Sequence, residues 1–479
     1  MTAAIKFGTS GWRAIIADEF TFGNVRRAVA AIADHVLSRN PRPTLLIGHD
    51  TRFFSEEFSL AAAGVLQQRG VGVLLCDAPA PTPAIAFEIR QRQLDGAINF
   101  TASHNPAQYH GLKFSGPDGG PALPEVTKDI EVRAAKLAQP ERAEPPANLQ
   151  RVSVREHYLK RLGELIHFDS IRKAKLRIVY DALHGCGGGY LDRALSEHDI
   201  PSHTIRANRD VLFDGTGPDV VESNLAPLLR VLHEHEANVG LATDGDADRF
   251  GILDADGTWF QPNHILALLY DYLLETRGWA PSNGKALPAA RSVATSHLMD
   301  AVARSYGTTV YQTPVGFKYI GELIGQDKIA LGGEESAGLT IRGHVPEKDG
   351  ILACLLAAEM IAARRATLAE QLRYLFRRVG GEFWPMRINL HLPGEIQART
   401  VERLKSDFGT FLGRKVARED RTDGLKLEFE DGSWVLLRLS GTEPLLRVYT
   451  EAATQESSRQ LGEQMRAWIF GAAAGGHAA

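Results

Sequence analysis

The stretch Gly96-Ala-Ile-Asn-Phe-Thr-Ala-Ser-His-Asn-Pro106 decides how the chain is read. Gly96 to Phe100 is an apolar run of strand length and reads as a buried strand. A hydroxyl follows at Ser103, flanked by an imidazole at His104 and an amide at Asn105. Pro106 biases Asn105 away from helical angles, so the loop is held open at the strand's mouth. A serine so placed suits a nucleophile, and an ordinary polar loop looks the same. The rest of the chain has to choose.

A chain of 479 residues is too long for one ordinary core, and the length predicts three or four domains. Apolar content of 44% and charged content of 23% are those of a soluble globular protein. A formal charge of −4 over this length argues against a nucleic-acid partner or a membrane surface. Cys76, Cys186 and Cys354 are odd in number and far apart, which suits a reduced cytoplasmic compartment better than a disulfide framework. Met1-Thr-Ala-Ala-Ile-Lys6 shows no cationic segment leading into an apolar one, so no secretory signal is read. Ile351 to Ala363 is the longest apolar stretch; too short to span a bilayer and interrupted by Glu359, it predicts a buried helix.

Outward from Ser103, residues 1–147 alternate helix and strand. Phe22 to Leu37 has helical apolar spacing, Thr44 to Asp50 is a strand ending in polar residues, and Val71 to Cys76 is another strand. Such alternation predicts parallel strands joined by crossover helices. Gln139 to Pro146, rich in proline and charge, reads as a linker. A second α/β unit, 148–253, contains the strand Leu176 to Tyr180 and ends with Ala237 to Thr243 and the loop Asp244-Gly-Asp-Ala-Asp-Arg249. A third, 254–377, has a strand at Lys328 to Leu331 and the loop Gly332-Gly-Glu-Glu-Ser-Ala-Gly338. The last, 378–479, alternates polar and apolar residues over Leu425 to Phe429 and Ser433 to Arg438, predicting an antiparallel α+β domain with one solvated sheet face. Its loop is Leu439-Ser-Gly-Thr-Glu-Pro444.

Each unit thus offers one short loop rich in glycine, hydroxyls and acid at the end of a strand. Catalytic groups on α/β sheets sit beyond the carboxyl ends of strands, so four such loops suit one site at a central cleft. General loop polarity gives the same pattern. Asp244, Asp246 and Asp248 converge only if the backbone curls, and curled aspartates hold a hard divalent cation; an acidic surface turn is the alternative. The loop is no EF-hand, because Arg249 takes the sixth position and Ala255 the twelfth. Three carboxylates with room for another oxygen suit Mg²⁺. Ser440, Gly441 and Thr442, with Arg438 and Arg447 in reach, have the make-up of a phosphate cradle or of a common turn. Glu334 and Ser336 could grip neighbouring hydroxyls of a polyol or lie in a solvated turn. Together, serine, metal loop, cradle and polyol clamp point to phosphoryl transfer on a small phosphorylated sugar.

These loops resemble those of the α-D-phosphohexomutases, in that family's order and spacing, from Gly8-Thr-Ser-Gly-Trp-Arg13 to Tyr449. The resemblance implies four domains around a central cleft, three mixed α/β domains of similar topology and a smaller C-terminal α+β domain. It implies a phosphoryl group on Ser103, and Mg²⁺ held by Asp244, Asp246, Asp248 and the Ser103 phosphate. It further implies Glu334 and Ser336 on the sugar's O3 and O4, and Arg438, Ser440, Gly441, Thr442 and Arg447 on the phosphate that is not reacting. Arg13, Arg249 and Lys113 would line the reacting phosphate, with His344 and Lys348 in a further ligand-contacting segment. The reaction would pass through a hexose 1,6-bisphosphate, with glucose 1,6-bisphosphate as intermediate and activator.

A base must take the sugar hydroxyl's proton and an acid must protonate the leaving serine. Lys113 or His344 could do so; the resemblance favours Lys113, which would need a depressed pKa, while His104 either takes part or only organises the loop. Gly333-Glu-Glu-Ser-Ala-Gly338 and Thr313-Pro-Val-Gly-Phe-Lys-Tyr319 look most like members acting on glucose phosphates. The reading is therefore a cytoplasmic phosphoglucomutase-type isomerase, monomeric or homodimeric, whose partners are hexose phosphates. Competing activities are phosphomannomutase, a dual-specificity enzyme, phosphoglucosamine mutase and a metal-dependent sugar phosphatase. The competing class is a non-catalytic sugar-phosphate binder.

Overall fold

The computed structural model describes residues 4–138, 140, 142–280, 284–439 and 445–471. The first sheet runs, in spatial order, Trp12–Ile15, Tyr109–Ser115, Gly96–Phe100, Thr44–His49, Gly72–Cys76 and Gln150–Val152. Its last four strands are parallel; helix Phe22–Leu37 leads into the first of them in the chain, and Ser55–Gln68 and Thr82–Arg92 lie between them. The second sheet is Phe250–Asp254, Val239–Thr243, Ile178–Asp181 and Ser202–Ile205; the third is Val310–Thr313, Ala289–Ser292, Leu331–Glu334 and Gly338–Ile341.

In all three sheets a parallel core meets an antiparallel pair, and the motif loop is the turn of that pair. Gly96–Phe100 returns as Tyr109–Ser115, Val239–Thr243 as Phe250–Asp254, and Leu331–Glu334 as Gly338–Ile341. The alternation of strand and helix predicted only crossovers after these strands. The returning strands Tyr109–Ser115 and Gly338–Ile341 escape that reading because Lys113 and Thr340 interrupt the apolar run of a buried parallel strand. Phe250–Asp254 escapes it because the turn before it is too short to hold a crossover helix.

Two boundaries also shift. Gln150–Val152 pairs with Gly72–Cys76, so the first sheet extends past residue 147. The strand expected at Lys328 to Leu331 lies at Leu331–Glu334. Gly332 and Gly333, read as loop, are strand residues packed under side chains: a Cβ on either would stand 2.2 Å from Ile320 Cγ2 or Leu266 Cδ2. Glu334 is therefore the last residue of a buried strand.

The apolar helix forms as Gly350–Arg364, with Glu359 satisfied by Tyr272, Arg277 and the N–H of His167. It packs on helix Phe168–Ala174 and strand Phe250–Asp254, so the second and third units share one apolar core.

The C-terminal sheet is antiparallel, in the order Trp384–His391, Leu445–Ala452, Trp434–Leu439, Leu425–Phe429, Arg414–Asp420 and Thr410–Phe411. One face takes helix Gln455–Phe470. The other is not solvated as its alternation predicted: Trp434, Leu436 and Tyr449 pack on Val293 and Ala294 of the third unit. Lys426, the residue that made this face look wet, is fully buried, donates to Val293 O at 2.9 Å and lies 3.9 Å from the Trp434 ring centre. Burial, helped by Arg291, pushes its pKa down to about 7. Among the described residues no helix is long and apolar enough to cross a membrane.

Candidate active site

Ser103 sits at the end of Gly96–Phe100 with a φ of +52°, 1% exposed, its N–H donating to Thr101 Oγ1 at 2.8 Å. The loop is braced by Arg52, whose buried guanidinium donates to the carbonyls of Ser103 at 2.6 Å, Asn105 at 2.5 Å, Pro106 at 2.9 Å and Tyr109 at 3.0 Å. Asp50 Oδ2 accepts its Nε at 3.1 Å. A rigid planar fork with five donors is what lets one side chain hold so many carbonyls. No motif in the sequence marks Arg52; its only visible signal is the Asp50–Arg52 pair at the polar end of a buried strand.

Ser103 Oγ donates to Asp244 Oδ2 at 2.7 Å and lies 3.3 Å from His104 Nδ1. The serine and metal loops touch because position 245 is glycine, where a Cβ would stand 2.6 Å from Ser103 O. Asp244, Asp246 and Asp248 are buried, with ligand atoms within 4.8 Å of one another. Burial, then Asp246 and Asp248, raise the Asp244 pKa well above the usual carboxylate range. Oδ1 of Asp246 and Oδ1 of Asp248 have no hydrogen-bond partner. A dense, all-oxygen, buried donor set with two unpaired oxygens fits a hard divalent cation.

Cationic side chains crowd the same carboxylates. Lys113 Nζ donates to Asp246 and, at 2.8 Å, to Asp248, while Lys348 Nζ lies 3.2 Å from Asp248. Burial works to raise Asp248, but Lys113, Lys348 and Arg249 outweigh it and hold the carboxyl well below its usual range. Thr82, also missed in the sequence, donates its hydroxyl to Asp246 and its N–H to Asp246 O at 2.9 Å. The expectation of a depressed pKa at Lys113 is reversed: burial works to lower it, but Asp246 and Asp248 outweigh burial and raise it. Lys113 is a cation at neutral pH. His104 is held neutral, since burial, then Arg249 and Arg13, depress its pKa well below 6.5. Arg13 donates to Asn105 Oδ1 at 2.6 Å, and the Arg249 N–H to Asp244 Oδ1 at 3.0 Å.

His344 is tied into the segment that carries Lys348. Its enclosed imidazole has Nε2 2.8 Å from Asp349 Oδ2, an oxygen that also accepts the Tyr158 hydroxyl at 2.8 Å. Asp349 in turn caps Gly350–Arg364 by accepting the Leu352 N–H at 2.8 Å. The histidine therefore anchors the segment that delivers Lys348, and the Gly350 N–H ties that segment to the metal loop through Ala247 O at 3.0 Å.

Glu334 Oε1 accepts the Gly316 N–H at 2.7 Å, and burial, then Glu335, push its pKa up to about 7. Ser336 is half-buried in the adjoining turn. Next to Gly316, the Val315 N–H donates at 3.0 Å to Asp423 Oδ2, which also accepts Arg438 Nε at 2.9 Å. One short segment thus connects Glu334 to Arg438. Arg438 stands directly opposite Arg447 on the neighbouring strand. Like charges so paired repel, and an anion between them relieves the repulsion. Ser440, Gly441 and Thr442 lie outside the described residues.

Models of phosphoglucomutase/phosphomannomutase domains match four successive stretches: α/β/α domain I over residues 4–141, domain II over 156–257, domain III over 261–379 and the C-terminal domain over 388–467. The chain belongs to the phosphoglucomutase/phosphomannomutase family. Members of this family are phosphotransferase isomerases, so the protein is an enzyme of that kind. A Thermococcus kodakarensis phosphoglucomutase/phosphomannomutase is 29% identical over 461 residues, covering 95% of this chain and 96% of that protein. A probable phosphoglucosamine mutase of Methanopyrus kandleri is 28% identical over 460 residues, 96% of each chain. The crystal structure of a putative phosphomannomutase from Thermus thermophilus is similar at a TM-score of 0.85 and 34% identity, covering 98% of this chain and 100% of that one. The family is common to these relatives; the hexose in their names is not.

Proposed function

We propose that the protein interconverts glucose 1-phosphate and glucose 6-phosphate through a phosphoserine at Ser103 and glucose 1,6-bisphosphate. The observation that carries this reading is the Ser103 hydroxyl, enclosed and bonded to Asp244 among buried aspartates and cations. Asp244, Asp246, Asp248 and the phosphoryl oxygen of Ser103 would hold Mg²⁺, which neutralises charge on the group being transferred. Arg13, Arg249, Lys113 and Lys348 add fixed positive charge around the same group, as a loose, highly charged transition state requires. His104, neutral and within reach of Ser103 Oγ, takes the sugar hydroxyl's proton and passes it to the leaving serine oxygen, and runs the relay backwards when the phosphoryl group returns, while protonated Lys113 serves as hydrogen-bond donor rather than base.

Glu334 and Ser336 grip the sugar between its two ends, and the Arg438–Arg447 pair takes the phosphate that is not reacting. Because the clamp lies between the ends, it serves both orientations of the bisphosphate. Glucose is favoured by the likeness of Gly333 to Gly338 and Thr313 to Tyr319 to members acting on glucose phosphates. Mannose phosphate is the second reading, supported by the name of the Thermus relative. The buried free thiols agree with a cytoplasmic setting.

The test is a set of initial rates with glucose 1-phosphate, mannose 1-phosphate and glucosamine 1-phosphate in the presence of Mg²⁺ and glucose 1,6-bisphosphate. Fastest turnover is expected with glucose 1-phosphate, with loss of interconversion but retained ligand binding in Ser103→Ala. Steady release of inorganic phosphate as the main reaction would overturn the mutase assignment, and a faster rate with another sugar would overturn the choice of glucose.

A further inference from the structure

The loop that follows strand Ile178–Asp181 carries a histidine that the mutase reading does not use. His184 is 5% exposed. Its Nδ1 lies 2.9 Å from the carbonyl of Asn208, which can only accept, so Nδ1 carries the proton. In the neutral ring Nε2 is then a bare lone pair. That atom lies 3.0 Å from Asp214 Oδ2, yet it has no hydrogen-bond partner of acceptable angle. A lone pair facing a carboxylate oxygen off the hydrogen-bond axis is a repulsive contact unless a cation lies between them. A backbone carbonyl on the far nitrogen is also how metal-bound histidines are fixed in their tautomer.

Asp210 completes the group: one ligand atom from each of His184, Asp210 and Asp214 lies within 4.8 Å of the others. The two Asp210 oxygens accept the N–H groups of Leu212 and Asp214, both at 2.9 Å, which orients the carboxylate and leaves each oxygen a lone pair. Metal–ligand bonds of about 2.0–2.1 Å place neighbouring ligands roughly 3.0–3.4 Å apart, and the His184–Asp214 pair meets the lower figure. Arg206 is the opposing charge, 3.8 Å from Asp214, but its guanidinium is committed to Asp181 through Nε and Nη2. The Asp214 side chain is 51% exposed, so an ion and its waters have a way in.

We propose that His184, Asp210 and Asp214 form a second divalent-cation site, separate from the aspartate cluster and suited to a first-row transition ion such as Zn²⁺. Imidazole with carboxylates favours Zn²⁺ and its neighbours over Mg²⁺, which takes oxygen ligands. Two carboxylates and a neutral ring balance the ion's charge. The site joins the His184 loop to the segment that covers the serine loop: Pro218 O accepts the Gly245 N–H at 3.1 Å, and a Cβ on Gly217 would be 3.7 Å from Pro106 Cα. An ion there fastens this cover without touching the reacting groups.

Isothermal titration of Zn²⁺ alone into the metal-free full-length chain should find two ions per chain, one lost in Asp246→Asn and the other lost in Asp214→Asn. His184→Gln should weaken the second ion about 100-fold or more, since even outer-shell partners of a metal are worth 10- to 100-fold. Co²⁺ at that site should give a visible spectrum with nitrogen ligation that survives Asp246→Asn. Asp214 is half exposed, so its variant folds even if the buried histidine's does not, and circular dichroism checks both. One ion per chain in the parent, or two retained in Asp214→Asn, overturns the site.

Discussion

Glu334→Gln should make the protein more stable and a poorer enzyme, with both effects traceable to one buried carboxyl. Burial and Glu335 raise its pKa from 4.5 to about 7. At 1.36 kcal/mol per pKa unit, 7 − 4.5 = 2.5 units come to about 3 kcal/mol. Because the folded pKa lies above the unfolded one, its contribution is fully present below pH 4.5 and is lost as the pH rises through 7. Glutamine carries no charge to desolvate and still accepts the Gly316 N–H through Oε1. Urea unfolding followed by fluorescence should therefore show the variant more stable than the parent at pH 8, by on the order of 3 kcal/mol for the unit that contains the strand, with the gap closing toward pH 4.5. The KM for glucose 1-phosphate should rise about tenfold or more, because a charged acceptor bonds hydroxyls more strongly than an amide does. A gap of the same size at both pH values, or a variant less stable at pH 8, would refute the reasoning.

Arg52→Lys removes the fork that holds the serine loop; a drop in kcat of about 100-fold is expected from a displaced nucleophile, alongside a melting temperature lowered by the buried carbonyls left without a donor. Lys426 is charged in the unfolded chain up to its ordinary 10.5 but loses its proton near 7 when buried, so stability should climb between those pH values by up to about 1.4 kcal/mol per unit. Lys426→Met should flatten that climb in melting curves taken from pH 7 to 10; an unchanged slope would assign it to other groups. Cys76, Cys186 and Cys354 are buried with thiol pKa values raised chiefly by burial, so iodoacetamide should modify none in the native protein and all three after denaturation.

Much of the site was legible because its groups are short motifs at strand ends. Ser103 and the aspartates of 244–248 needed only a buried strand before them and a turn after. What stayed hidden depended on partners far along the chain. Arg52 serves carbonyls more than fifty residues away, and Thr82 meets Asp246 across a domain boundary. Nothing in a local window announces either. Lys113 does not have the depressed pKa that a base would need, since its protonation is set by Asp246 and Asp248 and not by its own segment. His344 hides its partner in the same way, since the bond to Asp349 that anchors its segment shows only in the fold. In the fold, Gly332 and Gly333 look like loop because their cause is two helices outside the motif, Phe317–Gly325 packed on Gly332 and Pro262–Thr276 packed on Gly333.

The C-terminal sheet, covered on both faces, bears on how this polypeptide can be divided or recombined. A cut after Val379 would leave Trp434, Leu436 and Tyr449 of the released piece in water and strip Val293 and Ala294 on the remainder. Each half would then carry a sticky apolar patch and a propensity to aggregate. The final domain is consequently no free-standing module. In a chimera between homologues it has to travel with the third domain's Val293–Ala294 ledge, or that ledge has to be rebuilt to match.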